Sequence, residues 1–143
     1  MYMLEAKSIS FRYPGQTKLI LENISMTLEA GQITALTGPS GGGKSTLAYC
    51  LSGVIPAQIK GEFSGWVTHQ GRVGIVFQDA DAQVFLPTVE DELAFGPENL
   101  CLPRQEIAAR INGILELLGM EDLRLKNPAR LSGGQKQLVA LGG

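Results

Sequence analysis

The residues with the clearest chemical meaning form one short run that contains four glycines, a lysine and three hydroxyl side chains. The run fits G-x-x-x-x-G-K-[ST], the loop that wraps the phosphates of a nucleotide. Glycines let backbone N–H groups converge on phosphate oxygens, where a side chain would block the approach. The pattern predicts that Lys44 reaches the β- and γ-phosphates and that the Ser45 hydroxyl holds Mg²⁺. The predicted phosphate loop consists of Gly38, Pro39, Ser40, Gly41, Gly42, Gly43, Lys44, Ser45 and Thr46.

The segments on either side of this loop favour the same interpretation. Gln32–Thr37 is predicted to form a buried strand, and apolar residues at helical spacing follow the loop. A helix that begins near Lys44 would add the positive end of its dipole to the site. The alternative is a glycine-rich turn with an incidental lysine, which would not need a strand before it and a helix after it.

Composition restricts the class of protein. The 143 residues are enough for one domain or part of one, and 44% hydrophobic with 18% charged residues describes a globular chain. A formal net charge of −2 gives no reason to expect nucleic acid or an anionic membrane surface as partner. No apolar run is long enough to span a bilayer, and no N-terminal signal is evident. Cys50 and Cys101 have no metal-ligand spacing and are predicted to be reduced core residues of a cytoplasmic protein.

The first third of the chain predicts a small antiparallel β region. Apolar residues alternate from Tyr2 to Tyr13, but the parity changes near Lys7-Ser8, which predicts a β-bulge there. A second alternating strand covers Ile24 to Leu28. Tyr13 stands at the end of the first strand, where its ring could stack on adenine or could simply pack in the core or a turn.

After a loop-rich passage, the chain is predicted to become helical. Val73–Phe77 is almost entirely apolar, as in a strand buried on both faces, and Gln78 follows it directly. Residues 79–87 are predicted to form a loop. A helix capped by Thr88 is expected to end at Gly96-Pro97, and a longer helix is expected between Pro103 and Gly119.

A second motif, Leu131-Ser132-Gly133-Gly134-Gln135, precedes a predicted helix over 136–141. With the phosphate loop upstream and Gln78 at a strand end, this order of motifs resembles the ATP-binding subunits of ABC transporters. Phe77-Gln78, Thr88–Glu92 and Ala94–Leu100 are most similar to the ATPases of energy-coupling-factor importers, which take up vitamins or metal ions such as cobalt.

The resemblance implies an α/β fold of the P-loop NTPase type. It implies an antiparallel β region, an incomplete parallel core sheet and a helical subdomain. The corresponding division is 1–78 for the β-rich phosphate-loop core, 79–130 for the helical subdomain, and 131–143 for the signature motif with the start of the next helix.

Residue roles and partners also follow from the resemblance. Tyr13 would stack on the adenine of ATP, and Gln78 would touch Mg²⁺ and the attacking water. Ser132, Gly133, Gly134 and Gln135 would contact the γ-phosphate of ATP bound to a second ATP-binding subunit, which could be identical or different. Residues 79–130 would dock on a transmembrane subunit, so the protein is expected peripherally at the cytoplasmic face of the membrane.

The sequence also departs from the family pattern. The Walker B aspartate and glutamate and the switch histidine, which the family carries after the signature motif, have no counterpart up to Gly143, and Leu138 replaces the usual arginine. In the family, the parallel strands beside the phosphate-loop strand also come from the region after the signature, so Ile33–Thr37 is expected to expose unpaired backbone groups and apolar side chains. The interpretation we favour is therefore a truncated importer ATPase, in which Lys44 and Gln78 remain from the catalytic machinery but the chain alone is inactive. A non-hydrolysing nucleotide-binding or interaction module is the main alternative. An ABC ATPase of another class, such as an exporter or repair protein, is a third.

Overall fold

The computed structural model describes residues 2–79 and 82–143, and it divides the chain into two compact units, with the boundary in the sequence between Ile75 and Val76. Ala80 and Asp81, in the predicted loop 79–87, lie outside the described residues. The first unit contains strand β1 (Tyr2–Arg12), strand β2 (Leu21–Glu29), helix α1 (Lys44–Leu51), the short helical turn α2 (Val54–Ala57) and strand β3 (Glu62–His69). The second contains helices α3 (Val89–Asn99), α4 (Arg104–Leu118) and α5 (Gly133–Gly142), with 3-10 turns at Glu121–Leu123 and Pro128–Arg130.

The three strands form one antiparallel sheet in the order β2-β1-β3. The predicted bulge is confirmed, because the register of β1 shifts against both neighbours beside Ser8, whose φ is +50°. Gly65 lies opposite the bulge, and a Cβ on it would stand 2.5 Å from the carbonyl oxygens of both Lys7 and Ser8. Only glycine fits there, so Gly65 and the bulge specify the register together.

The bulge explains why the apolar parity of β1 changes. Leu4 and Ala6 before it, and Ile9 and Phe11 after it, are all buried in the same core. Without an extra residue, the two pairs would face opposite sides of the sheet, because side chains alternate along a strand. Leu47 and Cys50 of α1 belong to the same core, with Leu21 and Ile55. The core therefore joins the sheet to the helix that follows the phosphate loop.

Two predicted strands are wrong. Gln32–Thr37 and Val73–Phe77 carry no strand pairing, and their apolar side chains are not buried. Ile33 is fully exposed at 102%, which confirms the expected exposure of its run, and Val76 is 41% exposed. An apolar, β-branched run favours extended backbone, but a strand also needs a neighbour for its N–H and C=O groups. Neither run joins the only sheet found in the described residues. The expected antiparallel β region and helical subdomain are confirmed, whereas the strands of the expected parallel sheet are not formed.

The helices of the second unit follow their predicted start signals. Thr88 caps α3, its Oγ1 accepting the N–H of Asp91 at 3.2 Å, and α4 lies between Pro103 and Gly119 as expected. The predicted end of α3 at Gly96-Pro97 is wrong, because the helix continues to Asn99. Proline in the last turn removes a single hydrogen bond, and the N–H of Leu100 still reaches the carbonyls of Gly96 and Pro97.

A second core holds these helices together. It is formed by apolar side chains from α3, α4 and α5 and the connections between them, namely Val89, Leu93, Ala94, Ile111, Leu115, Met120, Leu131 and Val139.

One expectation about the cysteines is wrong: Cys50 is buried in the first core, but Cys101 is exposed, just after α3. Helix α4 is 15 residues long, and no helix in the described part of the chain has the length and apolarity needed to cross a membrane.

Candidate nucleotide-binding site

The phosphate loop leads directly into α1. Gly43 is the residue before the helix and has a φ of +83°, and a Cβ on it would lie 3.0 Å from the carbonyl oxygen of Ile20. No side chain accepts a hydrogen bond from the N–H groups in the first turn of α1. Upstream, the N–H of Gly42 donates to the carbonyl of Pro39 at 3.1 Å and tightens the loop. Backbone donors at a helix N-terminus are the groups that bind phosphate.

The charge in this loop is entirely positive. The Lys44 ammonium group donates to the carbonyl oxygens of Gly38 at 2.9 Å and Pro39 at 2.7 Å, which holds it across the loop. The first turn of α1 contains no acidic residue, and Ser45 is exposed there. An ammonium group, a helix dipole and an exposed hydroxyl together suit a phosphate with its Mg²⁺ ion. The residues present therefore fit both groups.

Tyr13 is hydrogen-bonded to α1, the helix that follows the phosphate loop. Its hydroxyl lies 3.1 Å from Oγ1 of Thr46, in a hydrogen bond that either oxygen can donate. Its ring meets Phe11 edge to face, with centroids 4.8 Å apart and planes at 84°. Tyr13 is half-buried, and Thr46 is buried. The structure thus brings the predicted adenine-stacking residue and the phosphate loop together within the first unit.

Gln78 and the signature motif belong to the second unit. Gln78 is exposed, and the residue before it, Phe77, donates its N–H to Oε1 of Gln83 at 2.7 Å. Gln83 was not among the predicted site residues. Its side chain folds back over six residues to a backbone group, and no spacing rule in the sequence signals such a contact.

The signature residues form the N-terminus of α5. The N–H of Gln135 donates to Oγ of Ser132 at 3.3 Å, and the N–H of Ser132 donates to Oε1 of Gln135 at 3.0 Å. This reciprocal pair is a capping box, and it explains why α5 begins at Gly133, three residues earlier than predicted. Gly133 and Gly134 are exposed, with no atom within 4 Å of a Cβ added to either. A ligand can therefore approach the backbone of this turn closely.

One ion pair in the second unit shifts its partners' pKa values. Arg124 donates to both carboxylate oxygens of Glu90, at 2.9 Å from Nε and 2.5 Å from a terminal nitrogen. These hydrogen bonds lower the pKa of Glu90 and raise that of Arg124. Arg124 also donates to Oδ1 of Asn112 at 2.7 Å. The pair joins α3 to the segment after α4.

The buried cysteine and the potential metal ligands concern further possible chemistry. Burial raises the pKa of the Cys50 thiol to about 11, so this cysteine stays protonated and unreactive at neutral pH. Among residues 2–79 and 82–143, no three His, Cys, Asp or Glu side chains come together in an arrangement that could hold a metal ion.

Comparison with known proteins identifies the family. The family model described as ABC transporter matches residues 21–143. The chain is 40% identical to the energy-coupling factor transporter ATP-binding protein EcfA of Methanocaldococcus jannaschii, covering 100% of this chain and 54% of EcfA. It is 42% identical to the putative HMP/thiamine import ATP-binding protein YkoD of Bacillus subtilis, covering 97% of this chain and 28% of YkoD.

A solved structure supports the same family assignment as these relatives. CbiO1 from Clostridium perfringens, described as part of the ABC transporter complex cbiONQ, superimposes with a TM-score of 0.81 at 33% identity. The match covers 99% of this chain and 60% of CbiO1. The chain therefore spans between about a quarter and somewhat more than half of the length of these three relatives. The fold, the order of the motifs and the family match lead to one conclusion: this chain belongs to the ABC transporter family, as part of an ATP-binding domain.

Proposed function

We propose that the chain binds ATP with Mg²⁺ through the phosphate loop, with Tyr13 stacked on the adenine. The observation that carries this proposal is the position of Lys44, whose ammonium group lies across the loop at 2.7 and 2.9 Å from two carbonyls, beside the helix turn that no side chain caps. The Tyr13–Thr46 hydrogen bond supports it, because it attaches the aromatic ring to the phosphate-binding helix. Gly38–Thr46 would hold the phosphates, and Ser45 and Gln78 would contact Mg²⁺.

Each group in the loop has a distinct task. The backbone N–H groups and the N-terminus of α1 orient the phosphates, and Lys44 neutralises charge on the β- and γ-phosphates. Mg²⁺, when bound, neutralises charge that develops on the phosphate oxygens. Ser132–Gln135 would present the N-terminus of α5 to the γ-phosphate of ATP bound to another subunit, by the same physical principle.

The proposed biological role is that of an ATP-binding subunit of an importer, coupling ATP hydrolysis in its complete form to the uptake of a vitamin or metal ion. The relatives EcfA and YkoD, whose names include energy coupling and HMP/thiamine import, support this role. A second ATP-binding subunit would complete the site, and residues 79–130 would dock on a transmembrane subunit. The protein would then work peripherally at the cytoplasmic face of the membrane.

For the 143-residue polypeptide itself, we expect ATP binding without turnover. Phosphoryl transfer requires an oriented water as well as a neutralised phosphate, and the acids expected for that purpose are not among these residues. The alternative is a module that binds nucleotide or a transporter subunit and never hydrolyses ATP. Mg²⁺-dependent phosphate release that Lys44→Ala abolishes would contradict the expected inactivity.

Binding can be tested by titrating the purified chain with a fluorescent ATP analogue in Mg²⁺. Lys44→Ala should weaken binding at least about tenfold, because it removes a charge-assisted contact of about 1.5–3 kcal/mol. Lys18→Ala is the matched control, since Lys18 is an exposed lysine of the same unit and should leave the affinity unchanged. Equal affinities for wild type and Lys44→Ala would overturn the proposed phosphate site.

A further inference from the structure

The backbone in front of Gln78 is held by a side chain that the proposed function does not yet include. The Gln83 carboxamide is half-buried, and its Oε1 accepts the N–H of Phe77 at 2.7 Å. Phe77 immediately precedes Gln78, so this bond fixes the point from which Gln78 extends. Neither Phe77 nor Gln78 lies in a helix or strand.

The segment after Gln83 is in turn attached to α3. The N–H of Leu86 donates to Oε1 of Glu92, whose side chain belongs to α3 and is buried at 8% exposure. The ring of Phe85 meets that of Phe95 edge to face, with centroids 5.6 Å apart. Two independent contacts thus connect residues 85 and 86 to the helix, within three residues of Gln83.

These contacts form a continuous connection from α3 through Leu86 and Gln83 to the backbone of Phe77. A shift of α3 would carry Phe85 and Leu86 with it, and the hydrogen bond that Phe77 donates to Gln83 would pass that shift to the residue before Gln78. Phe85 is 67% exposed and Phe95 is 45% exposed. Another molecule that bound this aromatic pair would therefore act on the contacts that lead from α3 to Phe77.

We propose that Gln83 is a positioning residue, which holds Gln78 in place for the Mg²⁺-nucleotide and connects it to α3. The proposal rests on the proposed role of Gln78 toward Mg²⁺. The proposed role requires an acceptor oxygen at the end of a side chain as long as that of glutamine. Glutamate at position 83 keeps such an acceptor, and alanine does not.

The test compares ATP affinity in Mg²⁺ with ATP affinity in EDTA, using the whole chain. The ratio of the two dissociation constants measures the gain from Mg²⁺. Gln83→Ala should reduce that gain about 2- to 10-fold, the worth of one hydrogen bond of about 0.5–1.5 kcal/mol, without weakening binding in EDTA. Gln83→Glu should restore it. Gln78→Ala should reduce the gain, and adding Gln83→Ala to it should cause no further loss, because both substitutions act on one contact.

Hydrogen exchange at the Phe77 amide provides the second readout. It should accelerate in Gln83→Ala, remain slow in Gln83→Glu, and remain slow in the matched control Gln105→Ala, which changes an exposed glutamine on α4. Faster exchange with an unchanged gain from Mg²⁺ would show that Gln83 only closes the loop, and it would overturn the proposal. If the wild-type chain bound ATP equally in Mg²⁺ and EDTA, the metal role of Gln78 would fail, and the role of Gln83 with it. A chain that bound no ATP at all would instead refute the proposed function.

Discussion

The Tyr13 hydroxyl and Oγ1 of Thr46 lie 3.1 Å apart, so the end of β1 is attached to the helix that follows the phosphate loop. If the ring stacks on adenine, Tyr13→Ala should weaken ATP binding about 5- to 100-fold, because stacking of a base on an aromatic contributes about 1–3 kcal/mol. Tyr13→Phe keeps the ring and loses only the hydrogen bond, so its effect should be smaller. Titration with ATP and with tripolyphosphate separates the two parts of the site, and an equal loss for both ligands would exclude stacking.

The ion pair between Glu90 and Arg124 predicts a dependence of stability on pH. Arg124 lowers the pKa of Glu90 below its ordinary value of 4.5, so the folded state favours the ionised carboxylate. The pair therefore stabilises the fold above that value, and the stabilisation disappears as the pH falls through the lowered pKa. For a partly exposed pair we expect about 0.5–1 kcal/mol at pH 7. Thermal unfolding of wild type and Glu90→Gln should differ at pH 7, and the difference should disappear as the pH falls below the lowered pKa of Glu90.

A second ion pair provides the control for this experiment. Glu106 and Arg110 lie four residues apart on the surface of α4, with their side chains 45% and 55% exposed. Glu106→Gln should change the unfolding temperature less than Glu90→Gln at pH 7. An equal effect of both substitutions would show that the change in unfolding temperature arises from net charge rather than from the contact with Arg124.

The two cysteines should differ sharply in reactivity. Cys50 is 1% exposed and has a pKa of about 11, so very little thiolate is present at pH 8, and it is not accessible. Cys101 is exposed after α3. Iodoacetamide at pH 8 should therefore modify Cys101 and spare Cys50, as measured by peptide mass spectrometry. Modification of Cys50 in the folded chain at a comparable rate would show that the first core opens readily.

The two isoleucines Ile9 and Ile33 should make very different contributions to stability. Ile9 is completely buried at 0% exposure, so Ile9→Ala should cost about 2–5 kcal/mol of unfolding free energy. Ile33 is fully exposed, so Ile33→Ser should change that free energy by no more than about 0.5 kcal/mol. Urea denaturation measures both. A loss above about 1 kcal/mol for Ile33→Ser would mean that residues 32–37 pack against another part of the chain.

The sequence predicts those parts of the fold that depend on local chemistry. The bulge at Ser8 was visible as a change of apolar parity, and the start of α3 as a threonine followed by acids. The phosphate-loop motif is recognisable because phosphate binding requires particular residues at fixed spacing. In each case, the residues that form the feature are neighbours in sequence, so their pattern records the structure.

Features that depend on distant partners could not be predicted in this way. Gln32–Thr37 has the composition of a strand, but pairing depends on a second segment, which composition does not describe. The bonds from Tyr13 to Thr46 and from Phe77 to Gln83 likewise depend on how the chain folds back. The extension of α3 past Pro97 reflects the small cost of proline in a last turn, which a breaker rule ignores.

The hydrogen bonds of Lys44 to Gly38 and Pro39 have a consequence for the energetics of the loop. Because the ammonium group loses its rotational freedom when the chain folds, an incoming phosphate meets a preorganised cation. The phosphate must also compete with two carbonyl oxygens for the same protons. The affinity gained from Lys44 is therefore the difference between its bonds to phosphate and the bonds to Gly38 and Pro39 that they replace.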